Sequence, residues 1–200
     1  LRLRTSIKMA VDVSLRTCLV LGLTAALLLT LPSSANGQLE IPCVEFHPRL
    51  TIPCLCGLNE INATRINCDG VAFADFPVLP YRFYIQDFSH QNAGTQTLGA
   101  QLFTASDLPL VSVDFSHNQL RRLTERLFDG VEDTLEVIKL GDNLLGDNLD
   151  PVFTSGEFKN LKFLNSLDLS YNKLRNIEEG ILDGCTVLKV GFSLHFPDSM

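Results

Sequence analysis

One pattern constrains this chain more than any other. The template L-x-x-L-x-L-x-x-N-x-L, with Ile, Val or Phe standing in for Leu, is filled three times. The first copy is Leu110, Val113, Phe115, Asn118 and Leu120, continuing to Leu123. The second is Leu135, Ile138, Leu140, Asn143 and Leu145, and the third is Leu164, Leu167, Leu169, Asn172 and Leu174, continuing to Ile177. The asparagines stand 25 and 29 residues apart. A weaker copy lies upstream, where Phe83 and Phe88 precede Gln91 as Leu110 and Phe115 precede Asn118. The pairs Leu102-Phe103, Leu127-Phe128 and Ile181-Leu182 recur at a matching position on the far side of each unit.

Alternation at period two makes each L-x-L core a short strand with two apolar side chains inward. One copy alone cannot bury them; stacked copies can, and their strands then pair side by side. The expectation is an α/β solenoid with a parallel sheet on its concave face and irregular, 3-10 or short helical segments on its convex side. An asparagine amide offers two donors and an acceptor, which suits the bend after the strand. Asn118, Asn143 and Asn172 are therefore expected to form a ladder that satisfies backbone groups of neighbouring coils.

The compartment comes from the N-terminus. Met9 reads as the initiator, with Leu1–Lys8 preceding it, and Met9–Gly37 reads as a signal peptide. Its apolar run, Cys18 to Leu31, spans about 21 Å as a helix, short of a ~30 Å bilayer core. Pro32 breaks it, and Ala35-Asn36-Gly37 supplies small residues for cleavage before Gln38 or after Ala35. The rest carries no second spanning run, so the expectation is a secreted, extracellular chain. Leu1–Gly37 holds four bases and one acid, which leaves 12 bases against 22 acids, a net −10, downstream. So acidic a surface repels phosphate backbones, and nucleic acid is not an expected partner.

Secretion changes how the cysteines read. Cys43, Cys54, Cys56 and Cys68 fall within 26 residues, and in an oxidising compartment they pair. Cys54 and Cys56 point to opposite faces of an extended stretch and should not bridge each other. That leaves Cys43–Cys56 with Cys54–Cys68, or Cys43–Cys54 with Cys56–Cys68. The C-x-C spacing is too short for an ordinary zinc site, and no metal is expected. Residues 38–80 then read as a stapled cap over the apolar end of residues 81–190.

Candidates for chemistry are few. The solvent-facing strand positions form three rows, Ser112, Asp114 and Ser116, then Val137, Lys139 and Gly141, then Ser166, Asp168 and Ser170. They are the candidate concave binding face, although small and acidic side chains make shallow anchors. Asn62-Ala63-Thr64 is a glycosylation sequon within the cap. Cys185 reads as a buried structural thiol. The acidic stretch Gly141–Asp150 lacks the alternating ligands of a calcium loop. Ser89-His90 and Ser116-His117 lack a nucleophile elbow, and adjacent strand residues point apart. Arg121, Arg122 and Arg126 read as a solvated basic spot. No catalytic residue and no cofactor is expected.

The cysteine cluster followed by these repeats resembles the extracellular leucine-rich-repeat family with its disulfide-capped N-terminal flank. The stretches IPCVEF, IPCLC, DGVEDTLEVIKLGDNLLGDNLDPVF and LDLSYNKLRNIEEGILDGC carry a closer similarity to its arthropod chaoptin-type members, over roughly residues 39–190. The resemblance implies that the first cysteine pairs with the third and the second with the fourth, as Cys43–Cys56 and Cys54–Cys68. It also implies a non-enzymatic adhesion or matrix protein that binds an extracellular protein or matrix ligand. The alternative is the ectodomain of a membrane signalling receptor. After Val190 the template fails at Gly191, Ser193 and Phe196 and no asparagine follows, so 191–200 reads as a foreign tail on the start of a longer array.

Overall fold

Alternating inward and outward side chains turn each template core into a three-residue strand, and seven strands form one sheet in chain order. They are β1 (Ile41–Pro42), β2 (Leu55–Leu58), β3 (Thr64–Asn67), β4 (Ile85–Ser89), β5 (Ser112–Asp114), β6 (Val137–Lys139) and β7 (Ser166–Asp168). β1, β2 and β3 pair antiparallel, whereas β3 to β7 pair parallel, one strand per coil of a solenoid. This is a computed structural model; it describes residues 39–74, 76–77, 79, 84–99, 102–103, 108–147, 152–153, 156–175, 177 and 179–188. The leader, Phe83, Asn148–Asp150 and the tail from 191 on lie outside the described residues.

The core is a set of columns running from coil to coil. Ile66, Phe88, Val113, Ile138 and Leu167 are buried side by side, and Cys68, His90, Phe115, Leu140 and Leu169 make the next column. Leu110, Leu135 and Leu164 enter before the strands, and Leu120, Leu145 and Leu174 leave after them, all buried. Each such side chain is worth roughly 1.5–3 kcal/mol when removed from water.

Asparagine ties one coil to the next. The Asn143 amide donates to the carbonyls of Phe115 (3.0 Å), Leu140 (3.1 Å) and Gly141 (3.3 Å), and its oxygen accepts from the Leu120 N–H at 3.0 Å. Asn172 repeats this one coil on, with Leu140, Leu169 and Ser170 as acceptors and the Leu145 N–H as donor. Asn118 reaches His90, Phe115 and Ser116, and its oxygen accepts from Ala93 and Thr95. The residue before each position turns left-handed, with φ of 53° at Asn92, 56° at His117, 52° at Asp142 and 55° at Tyr171.

That turn fixes the register of the upstream copy, which differs from the sequence expectation by two residues. Phe88 pairs with Val113 rather than standing at the Phe115 position. Ile85 takes the place of Leu110, His90 that of Phe115, and Ala93 that of the asparagine. A slip of two keeps every side chain on its own face, so the apolar pattern cannot distinguish the two registers.

The side opposite the sheet is irregular, built from turns. Among the described residues the only helix is α1 (Cys43–Phe46), one turn in the cap, so the helical half of the α/β expectation is confined there. Phe103, Phe128 and Phe158 stack along this side with ring centroids 6.4 and 6.3 Å apart. Phe158 was not among the expected repeated pairs. It stands 20 residues after Ile138, whereas Phe128 stands 15 after Val113, because the longer coil delays it.

Two substitutions probe these contacts. Asn143→Ala removes four buried hydrogen bonds and leaves the Leu120 N–H without its acceptor, while the Phe115, Leu140 and Gly141 carbonyls keep their other donors. With the stranded group worth about 1–3 kcal/mol and the lost bonds adding to it, stability should fall by a few kcal/mol. Chemical denaturation checks this, and an unchanged midpoint counts against the ladder. Gly146 has φ +89°, and a Cβ there would sit 2.8 Å from the Lys173 carbonyl oxygen. Gly146→Ala should therefore destabilise by more than about 1 kcal/mol, read as a drop in melting temperature.

Candidate functional site

The cap begins with a backbone that doubles back twice, from β1 to β2 and from β2 to β3, and two disulfides hold it. Cys43 bridges Cys56 and Cys54 bridges Cys68, closing loops of 13 and 14 residues. Of the two pairings that spacing left open, this is the one the family resemblance implied. Each loop closure contributes about 3 kcal/mol in the chain-entropy view. Cys68 lies in the inward column beside His90, so the second bridge bolts the cap to the coils as well as to itself.

With the register fixed, the solvent-facing sheet positions fall into rows that cross the strands. One row runs Arg65, Asp87, Ser112, Val137 and Ser166; the next runs Asn67, Ser89, Asp114, Lys139 and Asp168. Ser116, Gly141 and Ser170 follow two residues beyond, as the backbone bond from His117 N–H to Gly141 O requires. All nine expected face positions therefore share one surface. Ser116 and Ser170 are nearly buried on it, and Gly141 gives a floor on which a Cβ would meet Asp168 Oδ2 and Ser170 Oγ at 3.2 Å.

The expectation stopped at β5, and the structure extends the face across β4 and β3 into the cap. Asp87 accepts from Asn59 Nδ2 at 2.7 Å, and Asp69 accepts from Ser89 Oγ at 2.6 Å and the Gln91 N–H at 2.8 Å. Glu40, 3% exposed, lies across Gly57 and meets Arg65 Nε at 3.6 Å and Asn67 Nδ2 at 3.0 Å. Lys139 Nζ pairs with Asp114 Oδ2 at 3.3 Å, while Asp114 and Asp168 each also hold a backbone N–H two residues on. Carboxylates outnumber cations along these rows, and most are fixed by hydrogen bonds. The tetrapeptide Asp-Phe-Ser-His occurs at both 87–90 and 114–117, but the two copies stand two residues out of register across the sheet.

Beside the face, an apolar cleft of about 420 Å³ opens in the cap. Pro42, Val44, Ile52, Pro53, Leu55 and Val71 line it, and Asn67 and Asp69 join it to the sheet rows. Asn62 sits exposed at the tip of the β2–β3 hairpin with φ +62°, held by its N–H to the Asn59 carbonyl.

The serine–histidine pairs part as alternation demands. Ser89 faces the sheet surface, whereas His90 turns inward to Thr95 Oγ1 at 2.7 Å. His117 is exposed and bonds Asp142 at 2.8 Å, while Ser116 is buried. Neither geometry brings the serine hydroxyl to the imidazole beside it in sequence. Cys185 is buried beside the Phe158 carbonyl, and desolvation pushes its thiol up to about 11. It is thus a protonated, unreactive thiol at neutral pH. Arg121 pairs with Asp147 and Arg126 with Asp129, so the basic spot is largely neutralised locally. Among the described residues no group of three or more His, Cys, Asp or Glu side chains could hold a metal ion. No helix among them is long and apolar enough to cross a membrane. No family model and no curated protein matches the chain.

Lys139 separates stability from surface chemistry. Its side chain is half exposed, so its pair with Asp114 is screened by water. Lys139→Ala should change the unfolding free energy by less than about 1 kcal/mol while altering the charge pattern of the face. A loss of several kcal/mol on denaturation would show that the face is structural at this point.

Proposed function

We propose that this chain is a non-enzymatic, extracellular protein-binding module: a leucine-rich-repeat array that meets an adhesion or matrix ligand across its concave sheet. The observation that carries the reading is the ordered face itself. It spans five parallel strands, presents side chains in fixed rows, and is tied off at one end by a disulfide-stapled cap. A sheet whose polar groups are already held by neighbours suits recognition by complementary shape and charge, at little ordering cost. Two disulfides favour an oxidising compartment. Asn62, exposed at the hairpin tip, would be the attachment point of a glycan. The receptor-ectodomain alternative uses the same face and differs only in what anchors it.

Expression through the secretory pathway tests the compartment: the protein should reach the medium, and peptide N-glycosidase should lower its mass. Binding to matrix laid down by cultured cells tests the face. Triple charge reversal at Asp87, Asp114 and Asp168 to Lys should cut saturable binding at least tenfold with both disulfides intact. Equal retention of wild type and variant would move the interaction off this surface.

A further inference from the structure

The second inward column holds Cys68, Phe115, Leu140 and Leu169, all apolar or bridged, and one imidazole. His90 is fully buried (0% exposed) at the point where the cap meets the first coil. Three phenyl rings surround it: Phe73 stacked at 5.2 Å, Phe76 at 5.1 Å and 79°, and Phe115 at 6.3 Å and 73°. Phe73 and Phe76 belong to the segment between β3 and β4, which packs against the His90 ring together with Phe88 and Phe115. Nε2 bonds Thr95 Oγ1 at 2.7 Å, and Nδ1 has no hydrogen-bond partner. The backbone on either side is committed, its N–H to the Asp114 carbonyl and its carbonyl to Asn118.

We propose that His90 is a proton-sensitive lock between the disulfide-stapled cap and the coils, and that acidification opens this junction before it opens the coils beyond it. Neutral imidazole fits the site: Nε2 shares one hydrogen bond with the Thr95 hydroxyl, and the rest of the ring is a filler in a column that in the later coils takes phenylalanine or leucine. Imidazolium fits less well, because it brings a full charge into a ring of phenyl groups, and only the Cys68 backbone and Asp69 offset the lost solvation. Asp69 is the one charged group among the described residues that acts on it, and its Oδ1 is already shared between Ser89 and Gln91. Thr95, the Cys54–Cys68 bridge and the three phenyl rings supply no further charge. Burial depresses the histidine below its ordinary 6.5, outweighing the Cys68 backbone and Asp69, which favour the charged form.

The direction follows from linkage. A group depressed in the closed state binds its proton more readily when the junction is open. The closed form is therefore fully favoured above pH 6.5 and loses ground as pH falls from 6.5 through the depressed value. Within that window the open-to-closed ratio rises up to about tenfold per pH unit, one proton's worth.

The experiment uses the full chain, unaltered, with two readouts. An NMR titration of the His90 ring should give a midpoint below 6.5. Amide exchange, corrected for its intrinsic pH dependence, should accelerate at Cys68 and Gly70, whose N–H groups cross the junction to the Ser89 and Gln91 carbonyls, relative to Leu140, up to about tenfold per unit between pH 6.5 and the His90 midpoint. In His90→Phe, which restores the column's usual filler, or His90→Gln, that relative acceleration should vanish. A midpoint at or above 6.5, a constant exchange ratio, or an acceleration that persists in a folded variant overturns the proposal.

Discussion

The structure depends on the bond between an asparagine side chain in one coil and the backbone of the coil before it. A strand of three residues makes too few ladder bonds to hold a sheet together, and the bend that follows it leaves carbonyls and N–H groups facing a dry interior. Asn118, Asn143 and Asn172 each satisfy several such groups, in their own coil and the preceding one. Phe103, Phe128 and Phe158 perform the corresponding service on the far side, where no ladder exists, by stacking. Between these two spines the leucine columns are buried as a consequence of stacking; none of them could be buried by a coil alone.

Where the spine runs out, the structure changes its means of support. At the asparagine position of the upstream coil stands Ala93, which only donates its N–H to the Asn118 side-chain oxygen, and at the leucine position stands His90. Regular repeat chemistry is replaced there by disulfides, by Glu40 lying across Gly57, and by phenyl packing from the segment before β4. The solvent-facing rows pass through this transition without a break, which is why the binding surface we propose includes cap residues.

Much of this was legible in the sequence, for a physical reason: period-two alternation plus an obligatory asparagine leaves few ways to fold. The three clear copies, their inward residues and their outward rows all lie where the template puts them. The upstream copy was legible in kind but misplaced, because Asp-Phe-Ser-His recurs and a two-residue slip leaves each side chain on its original face. Only the left-handed residue, Asn92, and the strand pairing reveal that Phe88 stands beside Val113. Phe158 was missed because the 29-residue spacing hides which of Phe153 and Phe158 continues the stack; the pair meets at 5.3 Å, and Phe158 faces Phe128. Glu40, Arg65 and Asp87 were invisible as face residues, since nothing in a template marks where a cap's strands join the repeat sheet. The disulfide pairing needed the family resemblance, because spacing alone left two solutions.

The most direct test of coil stacking is amide hydrogen exchange on the unaltered protein at Thr95, Leu120 and Leu145. Each of these N–H groups donates to an asparagine side chain of the following coil and to nothing else in the ladder. If asparagines join the coils, all three should exchange as slowly as the strand amides, opening only with the whole array. Exchange at the rate of exposed turns, with the strand amides still protected, would mean the coils are held by apolar contact alone and would contradict the account.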